Sequence, residues 1–381
     1  MTSFRAAAAS GDDWLSACNT CLSMLGELPA ATNLGIVYVS GSLAHALDLI
    51  AGRLREATGV EAWVGTGGIG VCANQGGGFR DGAMSILTAA LPPDSFRLFD
   101  GLENIGSDFA VASGPDSALA SGHQSPLAIV HGDPRQARTP AMIERLAADA
   151  GVFLVGGLTS ATGNGAMQIA GQPTEGGLSG VLLSEDVAMI TGLTQGCTPI
   201  GPVREVTAID GPWIKTLDDH PALDCLKEDV GPIAARSLER LNGFILAARL
   251  ESKTDRSDYL VRDLGSIDPL RGFVMVGDDL RPGDLLCFVK RDPEGAKADL
   301  RRLITDLQKR ADGRPVLGAL YHSCTGRGRH LFGTDDAELA IIQEGLGRIP
   351  LSGFQTNGEI FRDRLYGYSA VLTLFLDGGR P

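Results

Sequence analysis

No apolar run in this 381-residue chain reaches the roughly 20 residues that a membrane-crossing helix needs. Positive charge is short as well: 33 Lys and Arg stand against 46 Asp and Glu, a formal net charge of −13. So acidic a balance argues against binding a phosphate backbone, which needs basic surface. Histidine is scarce, six residues scattered singly, and none stands at metal-ligand spacing from other ligating residues. The 7 cysteines are odd in number and mostly lie in apolar runs, as reduced intracellular thiols do; a disulfide framework would pair them. Residues 1–11 read as a loose leader without the apolar segment of a secretion signal. The expected location is therefore cytoplasmic, with no membrane and no nucleic acid as partner.

The common catalytic motifs are missing too. There is no P-loop, no H-E-x-x-H helix and no G-x-S-x-G elbow. Cys18-Asn19-Thr20-Cys21 is formally C-x-x-C, but no second pair and no following His supports zinc or haem attachment. The two thiols share the apolar face of a helix expected over 12–27, where core cysteines belong. Gly65-Thr66-Gly67-Gly68-Ile69-Gly70 is formally G-x-G-x-x-G after a strand, yet no helix opens at it, so dinucleotide binding is rejected. Asp218-Asp219-His220 reads as a charged turn before Pro221. No metal site and no catalytic residue is expected.

What is present is a core-forming chain. Hydrophobic residues make up 44% and charged residues 21%, enough apolar material for two or three domains. Glycine is abundant, 51 residues, which requires many tight turns or close backbone approaches. Buried strands are expected at 34–39, 61–65, 83–90, 125–130, 152–155 and 316–321. Helices are expected at 43–57, from Thr139 with Ile143, Leu146 and Ala147 facing inward, over most of 232–250, at 294–311 and from Thr334 onward. Segments 181–183 and 188–193 read as a hairpin, and 101–124 as a polar insertion. No repeat of fixed period is visible. A strand ending in a Cys-Thr turn does occur twice, at Cys197 and Cys324.

The most informative stretch is 317–360. A strand ends in Ser323-Cys324-Thr325-Gly326-Arg327-Gly328, a helix follows, and Ser352-Gly353-Phe354 leads to the turn that carries Glu359. Arg327 and Glu359 thus sit in glycine-bearing turns at either side of one helix. An Arg beside glycine N–H groups suits a carboxylate or phosphate, and a Glu suits an amine. A structural ion pair is the competing reading. Cys324 and Cys197 each end a strand and enter a glycine turn; at Cys324 the N–H groups and Arg327 would favour a reactive thiolate, and small buried packing is the alternative.

The runs C-x-G-R-G-x-x-L-F-G at 324–333 and G-F-x-x-x-G-E-I at 353–360 resemble the C-terminal domain of the FIST (F-box and intracellular signal transduction) family. The run G-C-x-P-I-G at 196–201, the strand-plus-glycine turn near Thr66, and Pro221-Ala222-Leu223 resemble its N-terminal domain. The resemblance covers roughly 30–375. It implies α/β architecture in two domains, 1–221 and 222–381, each a β-sheet flanked by helices. It implies a small-ligand-binding sensory protein of signal transduction, sensing amino acids or similar small polar molecules. Output would pass to a separate protein such as a histidine kinase or a cyclase or phosphodiesterase. Residues expected at the ligand are Arg327, Glu359, Cys324, Gly326, Gly328, Gly353, Phe354, Cys197, Gly157 and Thr66. No cofactor is expected. The alternatives are haem-based nitric oxide sensing, with His322 or His330 as axial ligand, and a thiol-dependent enzyme using Cys324 or Cys197.

Overall fold

Three stretches of the chain repeat one arrangement: an apolar strand, a helical crossover, a second strand parallel to the first, and a hairpin. The first runs β1 (Ser3–Ser10), α1 (Trp14–Leu25), β2 (Leu34–Ser40), α2 (Leu47–Thr58), β3 (Ala62–Gly68), β4 (Val71–Ala73), β5 (Gly77–Arg80) and β6 (Ala83–Ala90). The second runs β7 (Phe96–Asp100), β8 (Leu127–Gly132), α3 (Thr139–Ala150), β9 (Phe153–Leu158), β10 (Met167–Ala170), β11 (Gln172–Glu175) and β12 (Leu178–Leu183). The third opens with β13 (Met189–Gln195). It resumes with α5 (Pro293–Ala311), β22 (Val316–Cys324), α6 (Gly328–Phe332), α7 (Ala337–Leu346), β23 (Leu351–Thr356), β24 (Glu359–Arg362), β25 (Arg364–Tyr366) and β26 (Ser369–Leu376). The computed structural model describes residues 3–73, 77–101, 126–161, 167–234, 243–252 and 259–378.

Each repeat builds a six-stranded sheet and exports its hairpin to another. The sheet orders are β1-β6-β2-β3-β10-β11, β7-β12-β8-β9-β24-β25 and β13-β26-β22-β23-β4-β5. In every sheet the central pair is parallel, β2–β3, β8–β9 and β22–β23. The hairpin beside it always comes from the next or previous repeat. This is a threefold pseudo-repeat with cyclic exchange of hairpins. The same backbone feature marks each parallel pair: a Cβ at Gly65, Gly156 or Gly353 would lie 1.8, 2.0 or 1.8 Å from the carbonyl oxygen of Val37, Val130 or Tyr321. Only glycine fits there.

The inner faces of the three sheets share one core, to which Ile36, Ile129, Leu320, Val181 and Phe375 contribute. Helices cover the other faces. α1 and α2 bury Cys18, Cys21, Leu47 and Ile50 against Val37 and Ile86. α3 buries Ile143 and Leu146 against Val130 and Leu154, and α5 and α7 bury Leu300, Ile304 and Ile342 against Tyr321 and Leu372. Strands 34–39 and 316–321 are interior, as the sequence indicates. All 7 cysteines are free and buried.

The compact units divide the chain differently from a cut at 221. One comprises Met1–Gln195 and Lys297–Pro381, the other Gly196–Ala296. The second unit holds β14 (Cys197–Pro199), β15 (Arg204–Asp210), β16 (Trp213–Leu217), β17 (His220–Pro221), α4 (Ala222–Ala234), β18 (Ile245–Leu250), β19 (Tyr259–Asp268), β20 (Phe273–Val276) and β21 (Leu285–Arg291). Its strands follow the order β21-β15-β16-β20-β19-β18 and return to β21, closing a ring. Ile214, Val274 and Phe288 pack with Leu223 and Leu226 of α4 in its core. The chain as a whole is mixed α/β, with this unit mostly sheet.

Several local expectations change. Residues 3–10 form β1, paired along its whole length with β6 from Ser3↔Ala90 to Ser10↔Ala83; small alanines fit where Phe4 and Ala7 turn inward. Residues 245–250 are a strand bonded on both sides, by β19 and β21, because a short apolar run serves a buried strand as well as a helix. Residues 235–242 lie outside the described residues, as do most of the 101–124 insertion and Ser125. β12 and β13 belong to different sheets and make no hairpin. The strand read as ending at Gly65 continues to Gly68. The helix expected from Thr334 starts at Ala337, and the five-residue α6 precedes it.

Candidate functional site

β22 carries polar residues on both faces at its C-terminal end, and the two faces serve different clusters. On one face Tyr321 and Ser323 point toward α7, where Glu338 stands in the first turn. Glu338 accepts hydrogen bonds from the Tyr321 hydroxyl at 2.7 Å, the Ser323 hydroxyl at 2.8 Å and Arg327 Nε at 2.8 Å. Arg327 is wholly buried, and Glu338 is 2% exposed. Burial opposes the Arg327 charge, but the carboxylate of Glu338 outweighs it and holds the guanidinium charged. The Phe332 ring lies 5.4 Å from the guanidinium carbon.

One edge of the guanidinium is left over. Arg327 Nη1 and Nη2 are buried and have no hydrogen-bond partner among the described residues. Buried groups of this kind are expensive to leave unsatisfied, and a charged one more so.

Glu359 starts β24 beside Gly358 and is wholly buried. It accepts from the Thr356 hydroxyl, from the Ser369 hydroxyl at 2.5 Å and from Ser369 N at 3.2 Å. Burial pushes its carboxyl up to about 8, against the lowering effect of these bonds and of Arg327. The charge partner of Arg327 is thus Glu338, and Glu359 acts on it through space. Glu338 escaped sequence reasoning; an acid in a helix's first turn has a plainer explanation in the helix dipole.

The other expected residues fall as follows. Cys324 pairs with Thr356 across β22 and β23, and burial pushes its thiol up to about 12. Gly326 leaves room for the Tyr368 ring and Gly328 for the Gln355 amide, with Cβ approaches of 3.0 and 2.6 Å. Gly157 lies against Thr356 and pairs with Glu359. Gly353 makes the close strand approach described above. Thr66, Gly157 and Phe354 are equivalent positions of the three repeats, facing Tyr38, His131 and His322 across the parallel pairs. Cys197 lies in the second unit, its carbonyl accepting from Tyr259 at 2.7 Å. His330 is exposed on α6.

On the opposite face of β22, His322 meets its two counterparts. Tyr38, His131 and His322 hold the same place in the three repeats and converge where the sheets meet. The Tyr38 hydroxyl lies 3.1 Å from His131 Nε2 and 2.9 Å from His322 Nε2. All three are wholly buried, and Phe354 stacks on Tyr38 with centroids 4.6 Å apart. One hydroxyl proton serves two imidazoles: Tyr38 donates to one ring and accepts from the other. Burial lowers both histidines to about 3, so both are neutral.

An open groove of about 510 Å³ lies elsewhere, lined by Asn19, Leu22, Arg53 and Thr58 among others. None of the expected ligand residues lines it. Among the described residues no cluster of three or more His, Cys, Asp or Glu side chains is placed to hold a metal, and no helix is long and apolar enough to cross a membrane.

Comparison with known proteins gives two family matches: a FIST N domain over residues 33–220 and a FIST C domain over 222–362. An uncharacterized protein of Mycobacterium tuberculosis strain H37Rv is 33% identical over 258 residues, 64% of this chain and 67% of that protein. An uncharacterized protein of Mycobacterium bovis is 34% identical over 194 residues, 49% of this chain and 50% of its own length.

Proposed function

The chain belongs to the FIST domain family, and on that premise we propose that it is a sensory protein of signal transduction that binds a small polar ligand at Arg327. FIST domains are associated with sensing in signal transduction. The observation that carries the assignment to Arg327 is its pair of unpartnered guanidinium nitrogens, wholly buried beside Glu338. A purely structural ion pair is expected to satisfy its donors; here the fork that suits an oxyanion is left over. Amino acids and similar small molecules are the ligands considered, and output would pass to a separate protein such as a histidine kinase or a cyclase or phosphodiesterase.

Two observations weigh against the other readings. The Cys324 thiol is held protonated by burial, which is poor preparation for a nucleophile. His322 gives its Nε2 to Tyr38, which leaves that nitrogen no free position for haem iron. A thermal-shift screen of amino acids and other small polar metabolites against wild type and Arg327→Lys tests the proposal. A ligand that stabilises wild type and loses most of its effect in the variant is expected. A ligand that stabilises both equally would place binding elsewhere.

A further inference from the structure

The threefold repeat makes it possible to ask which features of the Arg327 region the fold requires. The strand position occupied by Glu359, bonded to Gly157, corresponds in the other two sheets to Gln168, bonded to Thr66, and Val71, bonded to Phe354. Gln168 and Val71 are buried, as Glu359 is. The Gln168 amide is satisfied locally: its oxygen accepts from Ser179 at 2.6 Å and its nitrogen donates to Gly177 O at 3.5 Å. A neutral amide and an aliphatic side chain therefore serve the architecture at this point. The buried carboxyl of Glu359 is a departure confined to one of the three positions, and its charge acts on Arg327. Buried ionisable groups that the scaffold does not need are where function concentrates.

Charge then restricts the ligand. The region holds one guanidinium and two carboxyl groups, Glu338 and Glu359, with Glu338 already paired to Arg327 Nε. The free Nη1 and Nη2 offer two parallel N–H donors, a geometry that fits carboxylate and phosphate equally well. Shape does not discriminate between them; electrostatics does. A dianion would bring two negative charges into a buried region with a single cation that is already shared. A monoanion adds one negative charge to the Arg327–Glu338 pair, half the load of a dianion and the smaller penalty.

We propose that Nη1 and Nη2 of Arg327 hold the carboxylate of a small monoanionic ligand, in preference to phosphates and dicarboxylates. This rests on the reading of Arg327 as the ligand site. Glu359 supplies a second mark. With its carboxyl at about 8, it is uncharged at neutral pH and becomes a repelling anion above that. Its titratable neighbours do not change charge in the same range: Arg327 stays a cation and Cys324 stays a thiol. Carboxylate affinity should therefore fall as pH rises through 8.

Calorimetric titration of the full chain with acetate, propionate, succinate and inorganic phosphate decides the matter. Acetate or propionate should bind at least roughly tenfold more tightly than succinate or phosphate, and Arg327→Lys should lose roughly tenfold or more. Raising the pH from 7 to 9 should weaken monocarboxylate binding in wild type and leave it unchanged in Glu359→Gln. Phosphate or succinate binding best, with loss in Arg327→Lys, would overturn the monoanion assignment while leaving Arg327 as the ligand site. Binding of any probe that is indifferent to Arg327→Lys would overturn both. No binding by either monocarboxylate would overturn the assignment. If Arg327→Lys does not fold by circular dichroism, the wild-type ranking and the Glu359→Gln pH profile decide alone.

Discussion

Acid should weaken the first unit through the Tyr38–His131–His322 cluster, and the size of the effect follows from its burial. Both histidines are wholly buried and lowered to about 3, whereas the unfolded chain protonates them near 6.5. Between these values the unfolded state binds protons that the native state refuses, so stability falls as pH falls through 6.5 toward 3. Each pH unit in that window costs about 1.4 kcal/mol per histidine. From pH 7 to 5 the two together lose about 4 kcal/mol. Glu359 opposes them. Its carboxyl is raised to about 8 in the native state, so between roughly 4.5 and 8 the native state holds the extra proton and gains stability as pH falls, about 2 to 3 kcal/mol over the same two units. The histidine contribution is therefore read in a Glu359→Gln background. Urea unfolding at pH 7 and 5 should show a drop of about 4 kcal/mol there, and about half that after His131→Gln or His322→Gln is added. A pH dependence unchanged by both substitutions would refute the assignment of the acid sensitivity to this cluster.

Other substitutions test separate parts of the structure. Tyr38→Phe leaves two buried Nε2 atoms without the hydroxyl and should cost about 1–3 kcal/mol by denaturant unfolding. Glu338→Ala leaves the Arg327 guanidinium buried without its charge partner and should cost about 3–5 kcal/mol, far more than the surface pair Arg145–Asp149; a loss below about 1 kcal/mol would contradict the buried pairing. Iodoacetamide should leave Cys324 unmodified in the native protein at pH 7.5 and alkylate it in urea, as mass spectrometry of the labelled peptide would show. Gly353→Ala should abolish soluble expression, because its Cβ would fall 1.8 Å from the Tyr321 carbonyl oxygen.

Local chemistry was legible where a segment's own residues dictate it. The strands at 34–39 and 316–321, the first helix with its buried Cys18 and Cys21, and the glycine runs were readable from periodicity and turn chemistry. The meaning of those glycines was not. Gly65, Gly156 and Gly353 look like turn residues in the sequence, but they lie inside strands at a close backbone approach that only the parallel pairing creates. The threefold repeat was invisible for a related reason. Tyr38 and His131 are 93 residues apart and Tyr38 and His322 are 284 apart, because Gly196–Ala296 stands inside the third repeat. Unequal spacing defeats a search for a fixed period. Exchange of hairpins between sheets adds to this, since pairing partners then come from different repeats. Arg327 and Glu359 were found from their glycine neighbours, but the carboxylate that pairs with Arg327 sits on α7, where sequence alone suggests only a helix start.

The central claim is that the terminal nitrogens of Arg327 serve a ligand, and a high-resolution crystal structure of the protein grown with saturating propionate addresses it directly. The account predicts a carboxylate with both oxygens within hydrogen-bond distance, roughly 2.7–3.0 Å, of Nη1 and Nη2. Nitrogens that instead bond only to protein atoms or to water would contradict it.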